Sequence, residues 1–161
     1  MKSGLVLEGG AMRGLFTAGV IDVFLENDIT FDLAIGVSAG AAFGVNLKSE
    51  QKGRVLRYNM RFAGKPYYAS WKSWRRSGNL YAANFCYHIL PDKLDVFDKE
   101  KFMTNPMDFW CVATDAATGE PVYHQLHDAG YVDLEWIRAS SSIPFFAHPV
   151  AIHGHYYFDG G

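Results

Sequence analysis

The pentapeptide Gly36-Val37-Ser38-Ala39-Gly40 constrains this chain more than any other stretch. The apolar run Leu33-Ala34-Ile35 leads into it, and the small residues Ala39 to Ala42 follow it. A strand that breaks at a serine into a small-residue helix has the shape of a nucleophile elbow. The serine sits there on strained backbone, and a side chain at either flank meets the neighbouring strand or helix, so Gly36 and Gly40 read as elbow glycines. The new helix also aims N–H groups and a partial positive charge at whatever forms on the serine. The same five residues describe an ordinary serine N-cap in a glycine-rich turn, so the rest of the chain has to decide.

Leu5-Val6-Leu7 reads as a short buried strand. It enters the glycine loop Glu8-Gly9-Gly10-Ala11-Met12-Arg13-Gly14, and a helix follows from Leu15 to Glu26 with Phe16, Val20, Val23 and Phe24 on one face. A second strand over Leu33–Val37 is parallel to the first by the right-handed crossover rule. The loop and the elbow then lie side by side at the carboxyl end of the sheet, where ligands bind in open α/β folds.

The loop has a rival reading, because Gly9-x-Ala11-x-x-Gly14 is one residue from a dinucleotide fingerprint. Ala11 stands where the backbone must approach a pyrophosphate, and the second strand ends in the serine motif instead of an acidic residue for a ribose. No GK[ST] is present for a P-loop. An oxyanion hole suits the loop better: its adjacent amides face a serine on the next strand.

With 161 residues, 49% hydrophobic and 20% charged, the chain suits one globular domain. A fold of this size hides roughly 68–70% of its unfolded surface, enough for a core without disulfide staples. Cys86 and Cys111 lack CxxC spacing, which suggests buried thiols in a reducing compartment. The start shows no secretory apolar region, and no stretch approaches the roughly 20 apolar residues of a membrane span. A cytoplasmic location follows as the expectation.

The net charge of −2 hides an asymmetry. Residues 51–91 hold eight basic side chains (Lys52, Arg54, Arg57, Arg61, Lys65, Lys72, Arg75, Arg76) and no Asp or Glu, so the remainder carries −10 against +8. Tyr58, Phe62, Tyr67, Tyr68, Trp71, Trp74, Tyr81, Phe85 and Tyr87 are interleaved with them. Such a mixture suits the boundary between water and anionic lipid. Arg57, Arg61, Trp71, Lys72, Trp74, Arg75 and Arg76 are its candidate lipid-surface contacts. Two other readings stand beside that one: base stacking on single-stranded nucleic acid, which is not the expected partner, and a helical insertion whose rings are simply core. Gly64-Lys65-Pro66 and Ser77-Gly78-Asn79 cut the segment into short helices, as in a cap over an active site.

Further on, Phe109 to Thr114 reads as a buried central strand, Ala117-Thr118-Gly119 as a turn, and Pro121 to Leu126 as the returning strand. A helix over Asp133–Ser142 closes before Pro144. Val150–Ile152 and His155–Phe158 form a hairpin around Gly154 that delivers Asp159.

The runs LVLEGGAMRG, GVSAG, ASSSIPFF (Ala139 to Phe146) and Asp159-Gly160-Gly161 together resemble the patatin-like phospholipases, in family order and across nearly the whole chain. The resemblance implies an α/β fold with a mostly parallel central sheet flanked by helices and the elbow after the second strand. It implies hydrolysis of acyl esters of phospholipids or other lipids by a Ser–Asp dyad. Ser38 is then the nucleophile and Asp159 its base; Gly9, Gly10 and Ala11 line the oxyanion hole, with Arg13 alongside. The family's third loop glycine is Ala11 here. The substrate partner is a lipid or acyl ester, with peripheral contact to an anionic membrane; neither a cofactor nor a metal is required.

A Ser–His–Asp esterase is the competing reading, with His148, His153 or His155 as base and Asp108, Asp115, Asp128 or Asp133 to orient it. In that fold several strands precede the nucleophile, and here only one does. A further alternative is an inactive lipid- or nucleotide-binding domain. Asp159 is third from the end of the sequence, and family members run on past this motif. The expectation is therefore a single domain over residues 1–161 that lacks a C-terminal part.

Overall fold

The computed structural model describes residues 2–161. It is an α/β fold on a six-stranded sheet, in the order β1 (Gly4–Leu7), β2 (Leu33–Val37), β3 (Asp108–Asp115), β6 (His155–Asp159), β5 (Val150–Ile152), with β4 (Pro121–Leu126) also paired to β3. β1, β2 and β3 run parallel, as βαβ crossovers require, and the hairpin strands are antiparallel. The helices are α1 (Leu15–Glu26), α2 (Ala39–Lys48), α3 (Arg54–Phe62), α4 (Trp71–Ser77), α5 (Lys99–Thr104) and α6 (Tyr131–Ser140). A wide π-helical segment spans Phe85–Leu94 and contains Pro91.

The register of β3 decides where the site is. One edge of β3 pairs with β4 along its length. The other edge is shared end to end: Asp108 to Val112 face Leu33 to Val37 of β2, and Ala113 to Asp115 face Asp159 to Tyr157 of β6. β2 runs with β3 and β6 runs against it, so their carboxyl ends meet head-on between Val112 and Ala113. The residue leaving β2 is Ser38, and the last residue of β6 is Asp159.

α2 and α6 pack on the sheet face that carries Leu7, Ala34 and Phe109, and this contact forms the main core. The other face presents Val6, Leu33 and Tyr123 to solvent. A second core lies between α1, α2 and the 51–94 segment, where Tyr58, Phe62, Tyr68 and Leu90 surround Phe43.

The strands, α1 and the elbow fall where the sequence places them. The face of α1 does not. Ala18 and Ile21 are its buried residues, whereas Phe16 is 81% exposed and Val23 half-exposed. The helix packs on α2 with Ala18 in the cluster of Ala39 and Phe43, and Phe16 stays in solvent. No helix among the described residues is long and apolar enough to cross a membrane.

Candidate active site

Ser38 leaves β2 with φ 53° and ψ −122°, a conformation costly for any residue with a Cβ. The surroundings hold it there. A Cβ on Gly36 would lie 2.6 Å from the Ala41 backbone, and one on Gly40 would overlap the Leu7 carbonyl. The elbow therefore packs backbone on backbone at both flanks, and only glycine fits. Gly9 completes the enclosure, since a Cβ there would stand 3.0 Å from the Ser38 Cβ.

The Ser38 amide donates a 2.9 Å hydrogen bond to Oγ of Ser140, a fully buried residue at the end of α6. Two residues on, the Ser142 carbonyl accepts the Asp159 N–H at 2.9 Å. The turn after α6 thus grips both ends of the head-on junction. Sequence reading singled out this serine run as a motif and gave its members no role. What could have marked Ser140 is that its hydroxyl is the last helical side chain before Pro144, on a helix facing the elbow.

Asp159 is 8% exposed and its backbone is locked, with its carbonyl accepting from Thr114 Oγ1 at 2.8 Å. Oδ1 accepts the Gly161 N–H at 2.9 Å, while Oδ2 is buried without a hydrogen-bond partner. Burial raises the carboxyl pKa above its ordinary value; the nearby Ser38 hydroxyl and the Gly161 N–H oppose that rise without cancelling it. Ser38 is close enough to favour the charged form, yet no hydrogen bond of ordinary geometry joins it to Oδ2. Gly160 lies against the Val112 carbonyl, so the glycine after the aspartate is needed for close approach to β3.

The loop before α1 stands beside Ser38. Gly10 accepts the Arg13 N–H at 3.0 Å and opens a 3-10 turn over Ala11–Gly14. Ala11 has φ 46°, the left-handed region that favours glycine. The Arg13 side chain is exposed and folds back over Gly10.

Ser38, Ala11 and Met12 open onto a cavity of about 340 Å³. α2 lines its length with Ala39, Ala42, Phe43 and Val45; the π-helical segment covers it with Cys86, Tyr87, Leu90 and Pro91. The wall is predominantly apolar. Both cysteines are free, and burial pushes each thiol up to about 12. Among the described residues no three His, Cys, Asp or Glu side chains group as metal ligands would.

The histidines weighed for a triad lie elsewhere. His148, His153 and His155 are exposed, and no histidine is hydrogen-bonded to Ser38 or Asp159 among the described residues. Asp133 binds His124 and three backbone amides, Asp108 accepts from Gln125, Asp115 caps its own turn, and Asp128 accepts from Gly130.

The lipid-surface candidates divide. Arg57 is clamped by two 2.8 Å hydrogen bonds to Asp95, and Arg61 donates to the Leu94 carbonyl. These two brace the 51–94 segment, and the reason is the acid at position 95, just outside the acid-free stretch. α4 carries the others, with Trp71, Lys72, Trp74, Arg75 and Arg76 all exposed. Trp74 Nε1 donates to the Phe145 carbonyl at 2.9 Å and Trp71 packs near Phe146, so α4 joins the loop after α6 at the cavity rim. Phe145 is 91% exposed there.

The patatin-like phospholipase family model matches residues 5–161. The protein YjjU of Escherichia coli (strain K12) is 32% identical over 161 residues, which cover 98% of this chain and 44% of that protein. Lysophospholipase nte1 of Aspergillus fumigatus is 29% identical over 164 residues, and its counterpart in Aspergillus oryzae 30% over 168. Each fungal match covers 98% of this chain and 10% of the fungal protein, so the chain spans less than half the length of all three relatives. A family match from β1 to the final glycine, over the loop, elbow and aspartate motifs in order, places the chain in the patatin-like phospholipase family.

Proposed function

We propose that the protein is a serine acyl hydrolase that cleaves lipid esters with a Ser38–Asp159 dyad. One observation carries the reading: the strained serine and a buried, half-satisfied carboxylate converge from opposed strands at the mouth of an apolar cavity. A carboxylate left with a free oxygen beside a hydroxyl is a base awaiting a proton. As Ser38 Oγ bonds to the ester carbonyl carbon, its proton passes to Oδ2 of Asp159. The ester C–O bond then breaks and the leaving oxygen takes that proton. Water attacks the acyl-enzyme, giving its proton to Asp159, and the Ser38 oxygen recovers it as the acid departs.

The negative charge on the carbonyl oxygen falls to amides of the Gly9–Ala11 loop and of the first turn of α2, where intrahelical bonds begin only at Ala41. Arg13 adds positive charge from outside the loop. The family and the lysophospholipase relatives support a lipid ester as substrate. The 51–91 segment acts as a cap whose α4, with Trp71, Trp74, Lys72, Arg75 and Arg76, meets anionic lipid head groups while the cavity receives an acyl chain.

Ser38→Ala tests the reading. It should reduce hydrolysis of short-chain aryl esters to background while circular dichroism and thermal unfolding remain those of a folded protein. Undiminished turnover by the folded variant would overturn the assignment.

A further inference from the structure

The cavity wall holds a buried cation. Arg54, the first residue of α3, lines the cavity but is only 4% exposed. Its guanidinium donates to Asn46 Oδ1 at 3.0 Å and to the Asp95 carbonyl at 2.6 and 3.1 Å, and stands 3.3 Å from the Asp95 carboxylate. The rings of Tyr58 and Phe97 lie 5.4 and 5.3 Å from it. Three N–H groups of the guanidinium are hydrogen-bonded and its charge is paired, so a hydrocarbon chain can neither pair with it nor displace it without stranding a buried charge.

The distance from Ser38 to this cation is set by α2, through Asn46. Asn46 is the eighth residue after Ser38, which at 1.5 Å per residue is about 12 Å along the helix. An extended hydrocarbon advances about 1.25 Å per carbon at ordinary bond lengths, so that span takes about ten carbons.

We propose that the buried Arg54–Asp95–Asn46 cluster is a stop that measures the acyl chain, making the site selective for one chain of about ten carbons. The second substituent of a diacyl lipid then stays outside the cavity. The inference rests on Ser38 being the nucleophile, and it adds the residue that sets specificity.

The test is a series of p-nitrophenyl esters from four to sixteen carbons, presented in the same detergent micelles. For the wild-type protein, kcat/KM should peak near ten carbons and fall at least tenfold by sixteen. Val45→Phe adds a ring to the wall about 10 Å from Ser38, just short of the stop, and should move the peak down by several carbons. Arg54→Leu leaves Asp95 its two bonds from Arg57, removes the cation, and should move the peak up. Should Arg54→Leu fail to fold, the Val45→Phe shift decides alone. A profile that is flat or still rising at sixteen carbons, or a Val45→Phe profile identical to wild type, overturns the proposal while leaving the hydrolase reading intact. No cleavage of any ester above the Ser38→Ala background overturns both.

Discussion

The elbow and the 51–94 segment face each other across one cavity and are held by different forces. At the elbow, backbone lies on backbone, Gly36 on Ala41 and Gly40 on Leu7, with Gly9 against the Ser38 Cβ. Such contacts have no alternative rotamers, so the floor of the site has one conformation or none. Across the cavity, the roof is built from side chains. α3 is anchored by one buried ion-pair cluster and a group of rings, and α4 has no buried residue at all. A helix of seven residues without a buried face belongs to the part of a fold that opens first. On the proposed reading, the site combines a fixed serine with a cover whose outer helix yields to a lipid.

Asp159→Asn breaks this comparison most severely if the floor is where chemistry happens. It should lower ester hydrolysis by at least a thousandfold, while His148→Ala, His153→Ala and His155→Ala each retain most of it. Activity depending on any one of those histidines as strongly would put a triad in place of the dyad. The same variant reports on pH. Burial lifts the Asp159 pKa, so the folded chain holds that proton more tightly than the unfolded one. Stability from this group is complete below the ordinary carboxylate value of 3.8 and declines as pH rises through the raised one. Asp159→Asn should lack that decline and be more stable than wild type at neutral pH. The acid limb of kcat/KM in the wild type should likewise lie above 3.8.

The roof is tested by its charges. Lys72→Gln, Arg75→Gln and Arg76→Gln together should weaken binding to vesicles containing phosphatidylserine by about 3 kcal/mol, roughly a hundredfold, at about 1 kcal/mol per cation. Arg57→Gln, whose charge is already matched by Asp95, should change vesicle binding little and lower the melting temperature instead. Equal effects on binding from both variants would mean that the basic segment acts as a diffuse charge and α4 has no special place.

The two regions also differ in how far their sequence discloses them. Glycine spacing around Ser38 maps onto geometry directly, because a Cβ on Gly36 or Gly40 would run into backbone. The Asp159 motif works the same way through Gly160. In the 51–94 segment residue type does not determine place. Tyr58 and Trp71 are both aromatic on short helices, one buried and one exposed; Arg54 and Arg75 are both basic, one the most enclosed cation of the segment and one free in solvent. What sorts them is contact set by the fold: Arg54 meets Asn46 and Asp95, 8 and 41 residues away, and Tyr58 packs with Phe43 of α2. The exposed Phe16 of α1 was misread for the same reason, since only the partner helix decides which face of an apolar helix is inward.

Ser140→Ala separates rigidity from chemistry at the floor. It removes the acceptor of the Ser38 amide and leaves that buried N–H unpaired, which costs about 1–3 kcal/mol. Activity should fall about tenfold through kcat, with KM for short esters nearly unchanged. Ser140→Thr, which keeps the hydroxyl, should recover more of the rate than Ser140→Cys. A loss of stability with no change in kcat would reduce Ser140 to a structural residue.

The smallest effect is expected at Ala11. Its φ of 46° places a methyl-bearing residue where the backbone favours glycine, and such strain costs on the order of 1 kcal/mol. Ala11→Gly relieves it but also loosens the unfolded chain, which is worth about 0.4–1 kcal/mol in the opposite direction. The two nearly cancel, so the melting temperature should move by no more than a few degrees. The activity need not cancel. If the alanine holds the loop amides toward the oxyanion, a glycine there adds freedom at the point where the transition state needs order, and kcat should fall by a few-fold. If the methyl group crowds the carbonyl oxygen instead, kcat should rise. A change of either sign in kcat without a change in stability ties the loop to the fixed floor of the site; stability altered with kcat constant would assign Ala11 to the start of α1 alone.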